Sequence, residues 1–162
     1  SCLLFGSGYL ANLGVLSALF GREDVIFSDQ LNHASIIDGI RLSRAQKFIY
    51  PHRDVETLEN LLKEHRGRYR RCGIVTDSVF SMDGDVAPLD RLNRLAKEFG
   101  CALIVDDAHA TATVGLSSLE LFGIKPEGHI VQVGTLSKAL GGYGAFVCGG
   151  EILIRYLINK AR

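Results

Sequence analysis

The sequence predicts an α/β protein: a mostly parallel, doubly wound sheet of seven strands, one of them antiparallel, between two layers of helices (three-layer αβα). Three observations predict it. Short runs rich in β-branched residues alternate along the whole chain with segments that are apolar at helical spacing. Several of those runs are apolar at every position, as parallel strands covered on both faces are. Repeated βα units need right-handed crossovers, which distribute helices over both sides of one sheet.

In chain order, the strand-like runs are CLLF (2–5), VIFS (25–28), KFIY (47–50), CGIVT (72–76), CALIVD (101–106), HIVQVG (129–134) and GAFVCGG (144–150). Helices are expected over Leu10 to Phe20, Ala34 to Arg44, Val55 to His65, Leu89 to Phe99 and Ile152 to Lys160. The third shows the spacing plainly, with Val55, Leu58, Leu61 and Leu62 on one face. Asp54 suits an N-cap and Pro88 the first turn of the next helix. Gly67 and Gly100 stand where helices should end in C-caps. Too few residues separate the last two strands for a crossover helix, so the last should run antiparallel to its predecessor or lie at an edge.

With 162 residues and 47% hydrophobic content, one domain over 1–162 can bury a core. Eighteen basic residues balance eighteen acidic ones with no basic block, which argues against nucleic acid and for small-molecule partners. No apolar run reaches the roughly 20 residues that span a bilayer. Cys2, Cys72, Cys101 and Cys148 are far apart and form no CxxC pair, so reduced, buried thiols of a cytoplasmic protein are expected, and no metal site. The opening SCLLFGSGY enters a strand without a preceding Met, so the domain is expected to be excised from a longer polypeptide.

Open α/β sheets gather ligands beyond the carboxyl ends of their strands. The polar residues expected there are Gly6, Ser7, Gly8 and Tyr9; Asn32 and His33; Asp77, Ser78 and Ser81; Asp106, Asp107 and His109; and Thr135, Ser137 and Lys138. FGSGYLANLG turns a strand into a helix whose free amides can hold an anion, although a tight turn alone explains the glycines and no dinucleotide fingerprint is present. In IVDDAHA, adjacent carboxylates at the end of an apolar strand repel and lose hydration unless a cation faces one of them; the competing reading is a helix start stabilised by acids. Lys138, between hydroxyls and glycines, is placed for desolvation that frees a nucleophilic amine, where most lysines merely lie on the surface. An amine, an acid and an anion-binding turn together match a carbonyl, a basic ring nitrogen and a phosphate. Pyridoxal 5'-phosphate carries all of these.

The motifs LNHAS (31–35), DSVFSMDGDVAPL (77–89), VDDAHA (105–110) and GTLSKALGG (134–142) resemble, in that order, the α-oxoamine synthases among fold-type I pyridoxal phosphate enzymes. The resemblance implies that Lys138 bonds the cofactor and later moves the substrate α-proton, and that Asp106 pairs with the ring nitrogen. His33 would stack on the ring, His109 and Ser81 would bond its phenolic oxygen side, and Thr135 with the Gly8 and Tyr9 amides would hold the phosphate. Asp107 would be structural. It also implies a homodimer, an amino-terminal segment and a small carboxy-terminal domain outside this stretch. Within the family the wording is nearest the branch that joins L-alanine to a pimeloyl thioester on CoA or a carrier protein. The rival branch uses glycine and a short acyl-CoA, and a non-catalytic phosphate-binding domain is the alternative of another class. His52, His65 and His129 match no motif and are expected to be surface or packing residues. The chain departs from the family in HATATVGLSSLEL, where Ala110, Ala112 and Leu119 replace an expected glycine-rich turn and an arginine is missing.

Overall fold

A computed structural model describes residues 1–161. Strands β1 (Cys2–Phe5), β2 (Val25–Asp29), β3 (Gln46–Tyr50), β4 (Cys72–Asp77), β5 (Ala102–Asp106), β6 (Ile130–Thr135) and β7 (Ala145–Cys148) form one sheet, ordered β1-β7-β6-β5-β4-β2-β3. β2 to β6 are parallel, and β7 runs antiparallel to both β6 and β1. The antiparallel strand is therefore interior, and β1 takes the edge beside it.

The helices are α1 (Gly8–Leu19), α2 (Ala34–Ser43), α3 (Val55–His65), α4 (Leu89–Phe99), α5 (Ser118–Leu121) and α6 (Glu151–Lys160). Val55, Leu58 and Leu62 of α3 and Leu89, Leu92 and Leu95 of α4 pack on one face of the sheet, against Phe27, Ile74 and Leu103. Ala11, Val15 and Leu16 of α1, Ile36 and Ile40 of α2, and Ile154 and Leu157 of α6 pack on the other, against Ile26, Val75 and Ile104. Alternate residues of the central strands thus enter two separate cores, which is why those strands read as unbroken apolar runs.

Asp54 caps α3, its carboxylate accepting the Thr57 N–H at 3.0 Å, and Gly100 ends α4 in the left-handed region at φ 62°. Two cap assignments change. Pro88 is the residue before α4 rather than in its first turn, and Gly67 lies inside a 3-10 turn, Arg66–Arg68, that continues α3. The short α5 is too brief to show a period in sequence, and Leu119, an apparent departure, is the residue it buries in the core.

The cysteines also differ from expectation. The structure joins Cys2 to Cys148 and Cys72 to Cys101, and Cys2 is exposed. Cys2 and Cys148 are register partners in β1 and β7, and Cys72 opens β4 beside the residue that precedes β5. Strand pairing brings the Cα atoms to 4.3 and 4.7 Å, a proximity that sequence separations of 146 and 29 conceal.

Gly39 sets a close contact between α2 and α1. A Cβ there would meet Leu16 Cδ1 at 2.8 Å and the Asn12 carbonyl at 3.0 Å, so only glycine lets α2 seat this close to α1. Gly39→Ala should lower stability by about 1–3 kcal/mol, the usual cost of overpacking, read as a lower urea midpoint at unchanged m-value; an unchanged midpoint would show that the helices are not held at this contact.

Candidate active site

The parallel strands deliver their polar ends to one side of the sheet. β2 steps outward to β3, the chain returns past β2 to β4, and β5 and β6 follow on the far side, so a crevice opens where the winding reverses. A cleft of about 300 Å³ occupies it. Lys138, Asp106, His109, His33, Ser81, Thr135, Gly8 and Tyr9 all line it, together with Asp77, Ser35 and Ser137. The eight residues given cofactor roles are therefore brought to one place. Gly6, Ser7, Asn32, Ser78 and Asp107, also expected at the strand ends, do not line it: the Asn32 amide bonds the Val75 carbonyl and the Asp77 N–H between strands, and Ser78 bonds the Asp106 carbonyl.

Asp106 ends β5 directly beside Asp77 at the end of β4, and both side chains are buried. Neither forms an ion pair among the described residues. Burial pushes the Asp106 carboxyl up, opposed by hydrogen bonds from the Asn12 amide (2.6 Å) and the Ala108 N–H (2.9 Å) and by the field of Lys138. Burial and the charge of Asp106 push Asp77 up to about 7, although it accepts the His33 N–H at 2.7 Å. Two adjacent buried acids make this end of the cleft a place that a cation would relieve. Asp107, in contrast, is fully tied, accepting from Ser118 N–H at 3.0 Å, from the Ser118 hydroxyl and from the Gln132 amide. Of the two successive acids Asp106 and Asp107, Asp106 lines the cleft and Asp107 does not.

Lys138 follows β6, in the turn that leads back into β7, and its Nζ lies 2.7 Å from His109 Nε2. Burial lowers the Lys138 pKa, against the pull of Asp106 and Asp77, and burial with the lysine charge lowers that of His109. An ammonium can only donate, so Nε2 of neutral His109 accepts. Gly144, at φ 97° with the Phe5 carbonyl where a Cβ would fall, lets this turn fold back.

Ser7 caps α1 by accepting the Leu10 N–H at 3.2 Å, which leaves the leading Gly8 and Tyr9 amides without an intrahelical acceptor. These donors suit an anion. Thr135 Oγ1 donates to the Gly144 carbonyl at 3.1 Å and so accepts from the Ser137 hydroxyl 2.9 Å away. The Tyr9 phenol donates to Asp38 at 2.6 Å. His33 both lines the cleft and caps α2, its Nδ1 accepting the Ser35 N–H at 3.2 Å.

Three further residues shape the site. Asn12 and Ser35 are buried behind it, and His52 bridges Asp29 (3.0 Å) and Asp85 (2.7 Å). Expected to be an ordinary packing residue, His52 instead ties the Ser81 loop to the end of β2. Burial opposes its charge, but the two carboxylates prevail and raise its pKa. His65 and His129 meet expectation, stacked on Phe48 and bonded to Asn93. Ala112 sits at φ 60°, where a side chain costs about 1 kcal/mol; the loop keeps the shape a glycine would give it.

The chain matches the family described as aminotransferase class I and II over residues 1–162. It is 55% identical over 163 aligned residues to the 8-amino-7-oxononanoate synthase of Citrifermentans bemidjiense, covering 99% of this chain and 41% of that protein. Among solved structures it resembles an 8-amino-7-oxononanoate synthase from Francisella tularensis, with TM-score 0.83 and 38% identity over 99% of this chain and 46% of that one. A serine palmitoyltransferase from S. paucimobilis with bound PLP-myriocin gives TM-score 0.87 and 33% identity, over 99% and 40%. The chain spans less than half the length of each of these relatives.

The raised pKa of Asp77 fixes a pH dependence. The protonated acid's contribution to stability is complete below its ordinary value of 3.8 and is lost as pH rises through about 7. Asp77→Asn, which keeps the acceptor for the His33 N–H, should therefore gain on wild type by on the order of 1–2 kcal/mol between about pH 4 and about pH 8. Urea unfolding at the two pH values without added ligand measures this; a constant difference would contradict the burial argument.

Proposed function

The chain belongs to the class I and II aminotransferase family, and from that premise we propose that it is the cofactor-binding domain of a pyridoxal phosphate-dependent acyltransferase. The reaction is the 8-amino-7-oxononanoate synthase reaction of biotin synthesis: condensation of L-alanine with pimeloyl-CoA or pimeloyl carrier protein, with loss of carbon dioxide and thiol. One observation carries the reading. Residues of α1, β5 and the turn after β6 place an anion-binding helix start, an uncompensated buried acid and an amine on one cleft. Those are the complements of the cofactor's phosphate, ring nitrogen and aldehyde. The names of the relatives support the choice of reaction.

Bound there, pyridoxal phosphate supplies an aldehyde that bonds to an amine and a ring that draws electron density from the carbon next to that nitrogen. Asp106 would hold a proton on the ring nitrogen, and in doing so would gain the counter-charge its burial calls for. The amides of Gly8 and Tyr9, with Thr135, would hold the phosphate. His33 would stack on the ring, and His109 and Ser81 would bond its phenolic oxygen side. Lys138, whose ammonium loses its proton more readily because of burial, would take the α-proton of the amino acid at Nζ. Removing the acid tests the electrostatic part: Asp106→Asn should lower turnover on the order of 100-fold or more.

We assign the intact protein to the cytoplasm and to a homodimer. The cysteines no longer support the first assignment, which rests on the location of acyl thioesters and amino acids. Among the described residues no helix is long and apolar enough to cross a membrane. Met82 at the cleft is an exposed apolar side chain that a partner chain would cover.

Adding pyridoxal phosphate to the intact protein should give a visible absorbance band that borohydride fixes covalently to the peptide bearing Lys138, and Lys138→Ala should abolish both. L-alanine with pimeloyl-CoA should then release thiol faster than glycine with acetyl-CoA. No band with the wild type, or trapping on another lysine, overturns the proposal; faster release with glycine moves it to the rival branch of the family.

A further inference from the structure

Behind the cleft, Asn12 connects two residues that the proposed site uses separately. Its side chain is buried between α1, α2 and β5, with 1% exposure. Its Nδ2 donates one hydrogen to Asp106 Oδ2 at 2.6 Å and the other to Ser35 Oγ at 2.9 Å. Ser35, fully buried, lies 2.8 Å from His33 Nδ1 through its hydroxyl and 3.2 Å through its backbone N–H. Gly39, by letting α2 approach the Asn12 carbonyl, brings these residues within reach.

The chemistry of the groups sets the direction of every bond. A carboxylate only accepts, so the Asn12 amide nitrogen must face Asp106. That nitrogen has no acceptor capacity, so Ser35 Oγ accepts from it and has its own proton to give to His33 Nδ1. Nδ1 already receives the Ser35 N–H. A ring nitrogen facing two donors carries no proton, so the His33 hydrogen resides on Nε2. At the other end, Asn12 and the Ala108 N–H, 2.9 Å from Oδ1, each hold one oxygen of Asp106. The Asn12 Oδ1 is buried with no partner. An unpaired buried carbonyl is a cost that an apolar residue would avoid, and it marks this amide as retained for its two donated bonds.

We propose that Asn12 is a positioning residue that holds Asp106 as an oriented acceptor and, through Ser35, fixes His33 as the neutral Nε2–H tautomer, so that the acid and the imidazole that would hold the cofactor are oriented by one amide. The assignment of Asp106 and His33 to the cofactor rests on the proposed function; the hydrogen-bond chain itself does not. A neutral ring at His33 adds no positive charge over an electron-accepting ligand, and Asp106 remains the charged contact.

The test uses the intact protein without cofactor, labelled with 15N at histidine and 13C at aspartate side chains. Wild-type His33 should show an unprotonated Nδ1 and a protonated Nε2 at neutral pH. Ser35→Ala removes the hydroxyl, and with it the acceptor of one Asn12 hydrogen, but keeps the Asn12 side chain and its bond to Asp106. It should raise the share of the Nδ1–H or doubly protonated form about fivefold, the worth of one ordinary hydrogen bond. Asn12→Ala should do the same and should also raise the pH at which Asp106 titrates, because a bond to its ionised form is lost. Should Asn12→Ala not fold, Ser35→Ala decides alone. A wild-type Nδ1 that carries the proton, or a tautomer balance unmoved by Ser35→Ala, overturns the proposal. Because no cofactor is present, either result is independent of whether pyridoxal phosphate binds. If wild type binds no cofactor, the functional reading fails while the tautomer result stands.

Discussion

A carboxylate at the buried end of an interior strand is the feature to which the site is built. Asp106 cannot be solvated where β5 ends, its neighbour on β4 is another buried acid, and no cationic side chain pairs with it among the described residues. Such a group would be neutral or would need a positive partner from outside the chain. The surroundings favour the second course: two hydrogen bonds hold the ionised form, and Lys138 contributes a positive field from the cleft. The cost of burying this charge is the physical reason that a protonated heteroaromatic ring would be retained there.

The topology then accounts for the company Asp106 keeps. Parallel strands put their carboxyl ends on one side, so residues from β2, β4, β5 and β6 meet although 105 positions separate His33 from Lys138. β7 runs back antiparallel, which confines the lysine to a turn at the cleft instead of carrying it away on a crossover helix. α1 starts beside it and turns its amide end inward. His52 supports the far wall, binding Asp29 and Asp85 so that the loop bearing Ser81 is tied to the strand that leads to His33.

Much of this was legible in the sequence because it depends on local pattern. The interior strands are apolar on both faces and showed as continuous runs, and α3 and α4 declared themselves by spacing and caps, Asp54 and Gly100 among them. The eight cleft residues were found by asking which polar groups end each strand, and by the resemblance of four ordered motifs to one family. Features that depend on long-range pairing were hidden. Cys2 and Cys148 look unrelated until β1 and β7 are aligned. Asn12 sits among the alanines and leucines of α1 with nothing local to show that Asp106 lies against it, and His52 has acids on both sides only once the loops are packed. Leu119 looked like a lost turn residue because a four-residue helix has no period to read.

The central claim is that Lys138 and Asp106 hold opposite ends of one small molecule. A crystal structure of the intact protein grown with pyridoxal phosphate tests it most directly. The account predicts density continuous with Lys138 Nζ, a ring nitrogen within hydrogen-bond distance of Asp106, and a phosphate against the Gly8 and Tyr9 amides. A cofactor bound elsewhere, or one whose ring nitrogen faces a group other than Asp106, would contradict it.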